Sequence, residues 1–463
     1  MFRIRKITIS KRFWAGKSKL LAIFGGRFDD RPPFLCTVPM NKVTNSEKLL
    51  LRQEKQPNAI LYAILMLVVK ILNIPVKPTF IYKARPAQEK GPFILVSNHA
   101  SRCDYLFTAP VCWPKRLNYV VGYNEFFVFP TLLMLKMMQV IPKKNFTPDV
   151  HTIRAITRII RSGGNVCIMP EGMSSITGMS QPVMRGIGKM LKKLGVPVYY
   201  TKISGGYMSF TKHDVNQRNG RVEVVVDKMF TPDQLKSLSE VEIEDAMDRL
   251  LAHDDYIWNR EAKVEFPSKF GMAYKLDTLL YMCPKCGALY RHKCEGDRMQ
   301  CTGCGNTIEM DKTGMIHAVG EDSVCPPLVT DWTLLEREKA ARDVRKEGFS
   351  YSGHVKVGTL PEHGHLPIGA TSIITGEGEL TLTAEGLSFE GQLEGAPYSF
   401  KLPIASLPTF GMCTDISRFY TFVDGKFLEF YPDNGDALRW DHLTEEMHRA
   451  QGGKWQNTPY RHI

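Results

Sequence analysis

The sequence has no low-complexity tract, no internal repeat and no apolar run long enough to cross a membrane. The first two absences exclude a disordered, collagen-like or coiled-coil chain. The third follows because a helical span needs roughly 20 apolar residues. Cysteine is scarce, at 11 of 463 residues, which excludes a disulfide scaffold. Four of the cysteines fall in two Cys-x-x-Cys pairs, a pattern of metal chemistry in a reducing compartment. Acidic residues are missing from the start: none precedes Asp29, while eight Lys/Arg do. What remains is ordinary for a folded protein of two or three domains, with 43% hydrophobic and 23% charged residues.

The formal net charge of +12 is unevenly spread. Residues 1–57 carry +9, residues 58–275 carry +11 and residues 276–463 carry −8. An anionic partner is therefore expected for the front of the chain only. Nucleic acid, a phosphorylated small molecule and an anionic membrane all satisfy that expectation. Residues 1–57 read as a flexible basic arm, an organellar presequence, or sequence upstream of a start at Met40.

Residues 59–74 (AILYAILMLVVKILNI) are the most apolar segment, with Lys70 inside and Pro75 at the end. The length fits an interfacial or partly inserted helix whose Lys70 snorkels to headgroups; a buried core helix is the alternative. Short apolar runs at Phe93–Ser97, Val166–Met169, Val196–Ile203 and Val222–Val226 predict buried strands. Thr152–Arg161 predicts an amphipathic helix with Ile153, Ile156, Ile159 and Ile160 on one face, and Val241–Trp258 predicts a closing helix. Strands alternating with helices argue for an α/β sheet domain over residues 58–275. A zinc ribbon is expected over 276–315, and a linker over 316–375 with a helix capped at Thr330 or Asp331. A mainly-β domain ending in a helix near Trp440–Gln451 is expected over 376–463.

Chemistry concentrates at two predicted strand ends. Ser97-Asn98-His99-Ala100-Ser101-Arg102-Cys103-Asp104 follows one strand, and Pro170-Glu171-Gly172-Met173-Ser174-Ser175 follows another. Ligands bind at such ends in α/β sheets. A histidine there can act as a general base, and a nearby aspartate can orient it. Val140-Ile141-Pro142-Lys143-Lys144 and Gly195-Val196-Pro197-Val198 complete an ordered set of four blocks. Gly186-Ile187-Gly188-Lys189 lacks the spacing of a phosphate loop.

In this order the four blocks resemble the glycerolipid acyltransferases of the 1-acylglycerol-3-phosphate acyltransferase family, over roughly residues 58–260. Asn98-His99 through Asp104 resembles the family's His-x4-Asp signature, and Pro170-Glu171-Gly172 its Pro-Glu-Gly block. The resemblance implies that His99 deprotonates an acceptor hydroxyl while Asp104 orients it. The hydroxyl would then attack the thioester of acyl-CoA or acyl carrier protein. It further implies that Asn98, Glu171 and Gly172 shape the acceptor site, with Lys143 and Arg185 as phosphate ligands. Ser174 stands where the family has an Arg, and Met173 where it has a Thr, so a bidentate fork is lost. The acceptor stays open between a lysophosphatidate, another lysolipid, and another hydroxyl or amine. A place on the cytoplasmic face of a membrane, among membrane lipids, is expected from the apolar segment 59–74, the positive charge of the front of the chain and the reducing compartment. A catalytically silent lipid- or protein-binding module on the same fold is the rival.

Cys283-Pro-Lys-Cys286-Gly and Cys301-Thr-Gly-Cys304-Gly, 14 residues apart, resemble a zinc ribbon with four thiolate ligands on one structural Zn²⁺; a redox or iron site is the alternative. A core this small would depend on the ion. The acidic charge of residues 276–463 argues against nucleic acid. The last strands and helix are analogous in order to a pleckstrin-homology-like barrel.

Overall fold

The computed structural model describes residues 43–453 and Tyr460. Most of the basic arm therefore lies outside the described residues.

The first seven strands are β1 (Thr79–Tyr82), β2 (Ile94–Ser97), β3 (Leu117–Gly122), β4 (Ile141–Lys143), β5 (Asn165–Ile168), β6 (Val198–Ser204) and β7 (Glu223–Phe230). They form one sheet in the order β1-β7-β6-β2-β5-β3-β4. Strands β6, β2, β5, β3 and β4 run parallel, β7 is antiparallel to β6, and β1 is parallel to β7. All four residues of β2, and all four of β5, are buried. That explains their unbroken apolar runs, since a strand covered on both faces has no polar side. Ile94, Val96, Val166 and Ile168 pack into one cluster with Ile156, Ile159 and Ile160 of the helix Val150–Arg161. Leu95 and Cys167 point the other way, toward Phe107 and Val111 of the helix Tyr105–Cys112. Ile153 departs from the predicted face and is 46% exposed. Sequence reading missed β1, β3 and β4. The last is three residues long and contains Pro142, which an edge strand tolerates.

The second sheet contains β8 (His292–Glu295), β9 (Arg298–Cys301), β10 (Thr307–Met310) and β11 (Ile316–Ala318), in the order β11-β10-β9-β8. It runs past the expected end at 315 because β11 pairs with β10. The third sheet is antiparallel. It contains β12 (Ser350–Thr359), β13 (Ile373–Thr383), β14 (Gly386–Leu393), β15 (Ala396–Pro403), β16 (Gly411–Met412), β17 (Phe419–Val423) and β18 (Lys426–Pro432). Its order is β15-β14-β13-β12-β18-β17-β16, so the first strand sits between the second and the last. The helix Ala437–Ala450 follows.

Four boundaries differ from expectation. Residues 44–57 are ordered. Thr44 and Glu47 form a reciprocal capping box on the helix Asn45–Leu50, and buried Glu54 pairs with Arg158 at 2.9 Å. The expected linker contains β12, and its Leu366 exchanges backbone hydrogen bonds with Phe127 and Phe129. The helix Val329–Asp343 has Leu328, with no side-chain cap bond, at its N-cap position in place of Thr330 or Asp331. The closing helix is two helices, Glu240–Leu251 and Asp255–Ala262, because Asp254 caps the second by accepting from the Tyr256 and Ile257 N–H groups.

The helix Ala59–Leu72 buries only Tyr62 and Val69. Ile60, Ile64, Leu67 and Ile71 are more than half exposed, so the core-helix alternative does not hold. Among the described residues, no helix is long and apolar enough to cross a membrane.

Candidate active site and metal centre

Strands β2 and β5 are neighbours in parallel register, with Val96 opposite Ile168. Their carboxyl ends therefore deliver His99 and Glu171 to the same edge of the sheet. Just beyond β2 the chain turns, and Asp104 occupies the cap position of the helix Tyr105–Cys112. The turn folds His99 Nδ1 back to 2.8 Å from Asp104 Oδ2. A spacing of five thus succeeds with one residue in the turn and the other at the cap. Asp104 Oδ1 accepts from the Ser101 N–H at 2.9 Å and from the Ser101 hydroxyl at 2.8 Å. Both carboxylate oxygens are fixed. Burial pushes the Asp104 carboxyl above its usual range, while the His99 and Ser101 bonds pull it down. The imidazole is 24% exposed and the carboxyl 1%. With Nδ1 committed to Asp104, Nε2 is the nitrogen left for an outside proton.

Glu171 and Asn98 lie beneath this pair rather than on the surface of the site. Glu171 is 1% exposed. Its two oxygens accept from the His99 N–H at 2.8 Å and from the Gln181 N–H at 2.9 Å. Burial pushes its pKa up to about 8 against those bonds. It is a strut between two loops. Asn98 exchanges two hydrogen bonds with Ile203 of β6, at 2.9 and 2.7 Å, and so extends the β2–β6 pairing by side chain. Gly172 has φ +87°, a conformation that favours glycine, and an added Cβ would meet Phe146 at 3.0 Å. The Ser175 N–H donates to the His99 carbonyl at 2.8 Å, which ties the loop carrying Ser174 to the His99 turn.

The two cations proposed from sequence are engaged elsewhere. Lys143 ends β4, three strand positions from β2, a lateral separation of about 14 Å. Its ammonium donates to the Lys144 and Thr147 carbonyls at 2.8 and 3.1 Å, and burial lowers its pKa. Arg185 sits among Glu244, Asp245 and Asp248 at 3.4–3.5 Å. Glu244 and Asp248 also accept from the backbone of Gly186, Gly188 and Val183, so they anchor the whole segment.

Sequence reasoning missed Ser101 as a support of Asp104, although it lies inside the quoted stretch. It also missed Lys212, whose ammonium donates to the Ser174 carbonyl at 3.2 Å. No local pattern marks Lys212, because the contact joins residues 38 apart.

Cys283, Cys286, Cys301 and Cys304 converge at the second sheet. All four sulfurs lie within 4.8 Å of one another. The Cys283–Cys304 separation is 3.7 Å and the Cys286–Cys301 separation 3.9 Å. A tetrahedral ion with bonds of about 2.3 Å needs sulfurs about 3.8 Å apart, so the set fits. The two knuckles are alike. The Gly287 N–H donates to the Cys283 carbonyl and the Gly305 N–H to the Cys301 carbonyl, each at 2.9 Å. Both glycines have positive φ, which the tight turn requires. The ribbon does not stand alone, contrary to expectation. Met299, Ile308 and Met310 pack into the same cluster as Trp332, whose indole N–H donates to the Met282 carbonyl at 2.7 Å.

Residues 79–203 match the family model described as Acyltransferase. Among solved structures, the 1-acyl-sn-glycerophosphate (LPA) acyltransferase PlsC from Thermotoga maritima aligns with 41% of this chain and 78% of its own. The identity is 17% and the TM-score 0.36. No curated protein matches the chain.

Proposed function

From an Acyltransferase-family domain over residues 79–203, we propose that the chain transfers a fatty acyl group from acyl-CoA or acyl carrier protein to a hydroxyl of a lysophospholipid-like acceptor. His99 Nε2 takes the hydroxyl proton. The freed oxygen attacks the thioester carbonyl carbon, and the negative charge that forms on the carbonyl oxygen is met by backbone N–H groups or a water. The C–S bond breaks, and the imidazolium returns its proton to the leaving thiolate. Asp104 holds the imidazole in the tautomer that leaves Nε2 basic, and steadies the imidazolium. The observation that carries this reading is the 2.8 Å bond between His99 Nδ1 and a buried Asp104, with the imidazole part-exposed at a strand end.

The enzyme works on the cytoplasmic face of a membrane, bound peripherally or inserted into the interface. The exposed apolar face of the helix Ala59–Leu72 supports this, as does a +15 excess over residues 70–228. The Cys283, Cys286, Cys301 and Cys304 thiolates hold a structural Zn²⁺, which leaves the ion no open position for chemistry.

Purified protein should move label from acyl-CoA to at least one member of a lysolipid panel, and His99→Ala should stop it. Equal behaviour of the two proteins over the whole panel would defeat the reading.

A further inference from the structure

Four cationic side chains are buried among the described residues: Lys212, Arg218, Arg337 and Arg449. Arg218 pairs with Asp214, Arg337 with Glu445 and Arg449 with Glu446. Lys212 differs. It is 6% exposed, and its ammonium touches only Ser174, at 3.2 Å to the carbonyl and 3.4 Å to the hydroxyl. No carboxylate among the described residues stands within ion-pair distance of it. Cys413 and Asp441 bear on it from further away; the Cys413 thiol is itself pushed up by burial, and Asp441 is bonded to the Thr409 hydroxyl.

A buried ammonium without a counter-charge is costly: it either gives up its proton or is completed by an anion from outside the fold. Three observations say where the missing anion goes. Lys212 is locked in place from the third sheet's side, since its carbonyl accepts from the Asp415 N–H at 2.8 Å. Its ammonium is directed at Ser174, the residue that precedes Ser175 and the Ser175–His99 backbone bond. Arg102, the neighbouring cation on the dyad's own turn, is spent on the Thr211 and Val215 carbonyls.

We propose that Lys212 and Ser174 form an anion subsite beside the His99–Asp104 pair, and that it takes the phosphate of the acceptor headgroup. The identity of the ligand rests on the acyl-transfer reading; the subsite itself does not. Ser174 then has a positive role: its hydroxyl, 3.4 Å from the ammonium, is a second donor to the same phosphate. Burial pushes the Lys212 pKa down to about 8, and a bound phosphate would restore it.

The test is equilibrium binding by calorimetry on the full chain, without acyl donor, so its result does not depend on whether transfer occurs. The probes are monohexanoylglycerol phosphate, neutral monohexanoylglycerol, and coenzyme A. Lys212→Met should weaken the phosphate ester about 10- to 100-fold, the range of a lost charge-assisted bond. It should leave the neutral ester within twofold, and Lys212→Arg should recover most of the loss. Without ligand, Lys212→Met should melt no lower than the wild type, because it removes a buried charge. Ser174→Ala gives a second, milder reading of the same subsite. The proposal is overturned if Lys212→Met leaves the phosphate ester unchanged or weakens both esters alike. It is equally overturned if only coenzyme A loses affinity, which would assign the cation to the donor.

Discussion

The His99–Asp104 pair and the four-cysteine cluster were both found as short spacings in the sequence, yet the fold supports them in opposite ways. The dyad stands at the end of a strand buried on both faces and flanked by two parallel neighbours. The polar groups around it are tied to one another and to the sheet: Asp104 to Ser101, the His99 N–H to Glu171, Asn98 to Ile203 of β6. Its geometry exists before any ligand arrives. The cysteines sit on two knuckles, Cys283 and Cys301 buried, Cys286 exposed and Cys304 half-buried, and no side-chain hydrogen bond to another residue type fixes their sulfurs among the described residues. There a bound ion would be the cross-link. The difference separates the two kinds of loss: chemistry from the first, folding from the second.

His99→Ala is the sharpest way to break this comparison, and the largest effect. Acyl transfer should fall about 10³- to 10⁴-fold. Folding should suffer by no more than about 1–3 kcal/mol, the cost of an orphaned buried acceptor on Asp104. Label transfer and thermal melting measure the two arms, and a variant that unfolds would erase the distinction. Asp104→Asn sharpens it without leaving a hole. The Ser101 donors claim the amide oxygen, so the amide N–H₂ faces His99 Nδ1 and forces the proton onto Nε2. Transfer should drop by about 10²- to 10⁴-fold with the melting point nearly unchanged.

The opposite pattern is expected for Cys283→Ser with Cys301→Ser. Metal analysis should find about one zinc per wild-type chain and none in the variant. Stability should fall by several kcal/mol, in line with the loss of a structural metal. The shared core around Met282, Trp332 and Met310 keeps the ribbon's inner face attached, so the loss stops short of global unfolding. At a temperature where the variant is folded, transfer per folded molecule should be within a few-fold of wild type. A metal-free wild type would remove the ribbon from the comparison.

Both sites were legible because their residues are local: five positions apart in one case, two knuckles in the other. The buried strands β2, β5 and β6 were legible for the same reason. What escaped depends on partners distant in sequence. Glu171 was expected to shape the acceptor site, but its two oxygens are filled by the His99 and Gln181 N–H groups. Arg185 looked available for phosphate, but three carboxylates 59–63 residues away surround it. Strand β12, with glycines and charges and no clean apolar run, is defined by pairing with β13 and β18. Glu171→Gln tests the strut at a third, smaller scale. Gln can accept only one of the two N–H donors, so stability should drop by about 1–3 kcal/mol. The melting point should record it, with a lesser loss of transfer as the His99 loop loosens.

The smallest effect concerns the helix Ala59–Leu72, and it asks whether membrane binding belongs to the dyad's half alone. Ile64 is 55% exposed and Leu67 61%, so neither contributes much to the core. Replacing both by Ser removes apolar area that an interface would bury, at about 25 cal/mol per Å². A partition loss of about tenfold onto anionic vesicles follows, since tenfold is about 1.4 kcal/mol. Tyr62, on the buried face, stacks on Trp113 and accepts from the Leu117 N–H, so the helix itself stays anchored in the variant. The Ile64/Leu67 variant should keep its zinc, its melting point and its transfer to a soluble short-chain acceptor. The cysteine variant should keep its vesicle binding. If instead the serine substitutions leave sedimentation with vesicles unchanged, the exposed face is not the membrane contact, and the front half's positive charge must act without it.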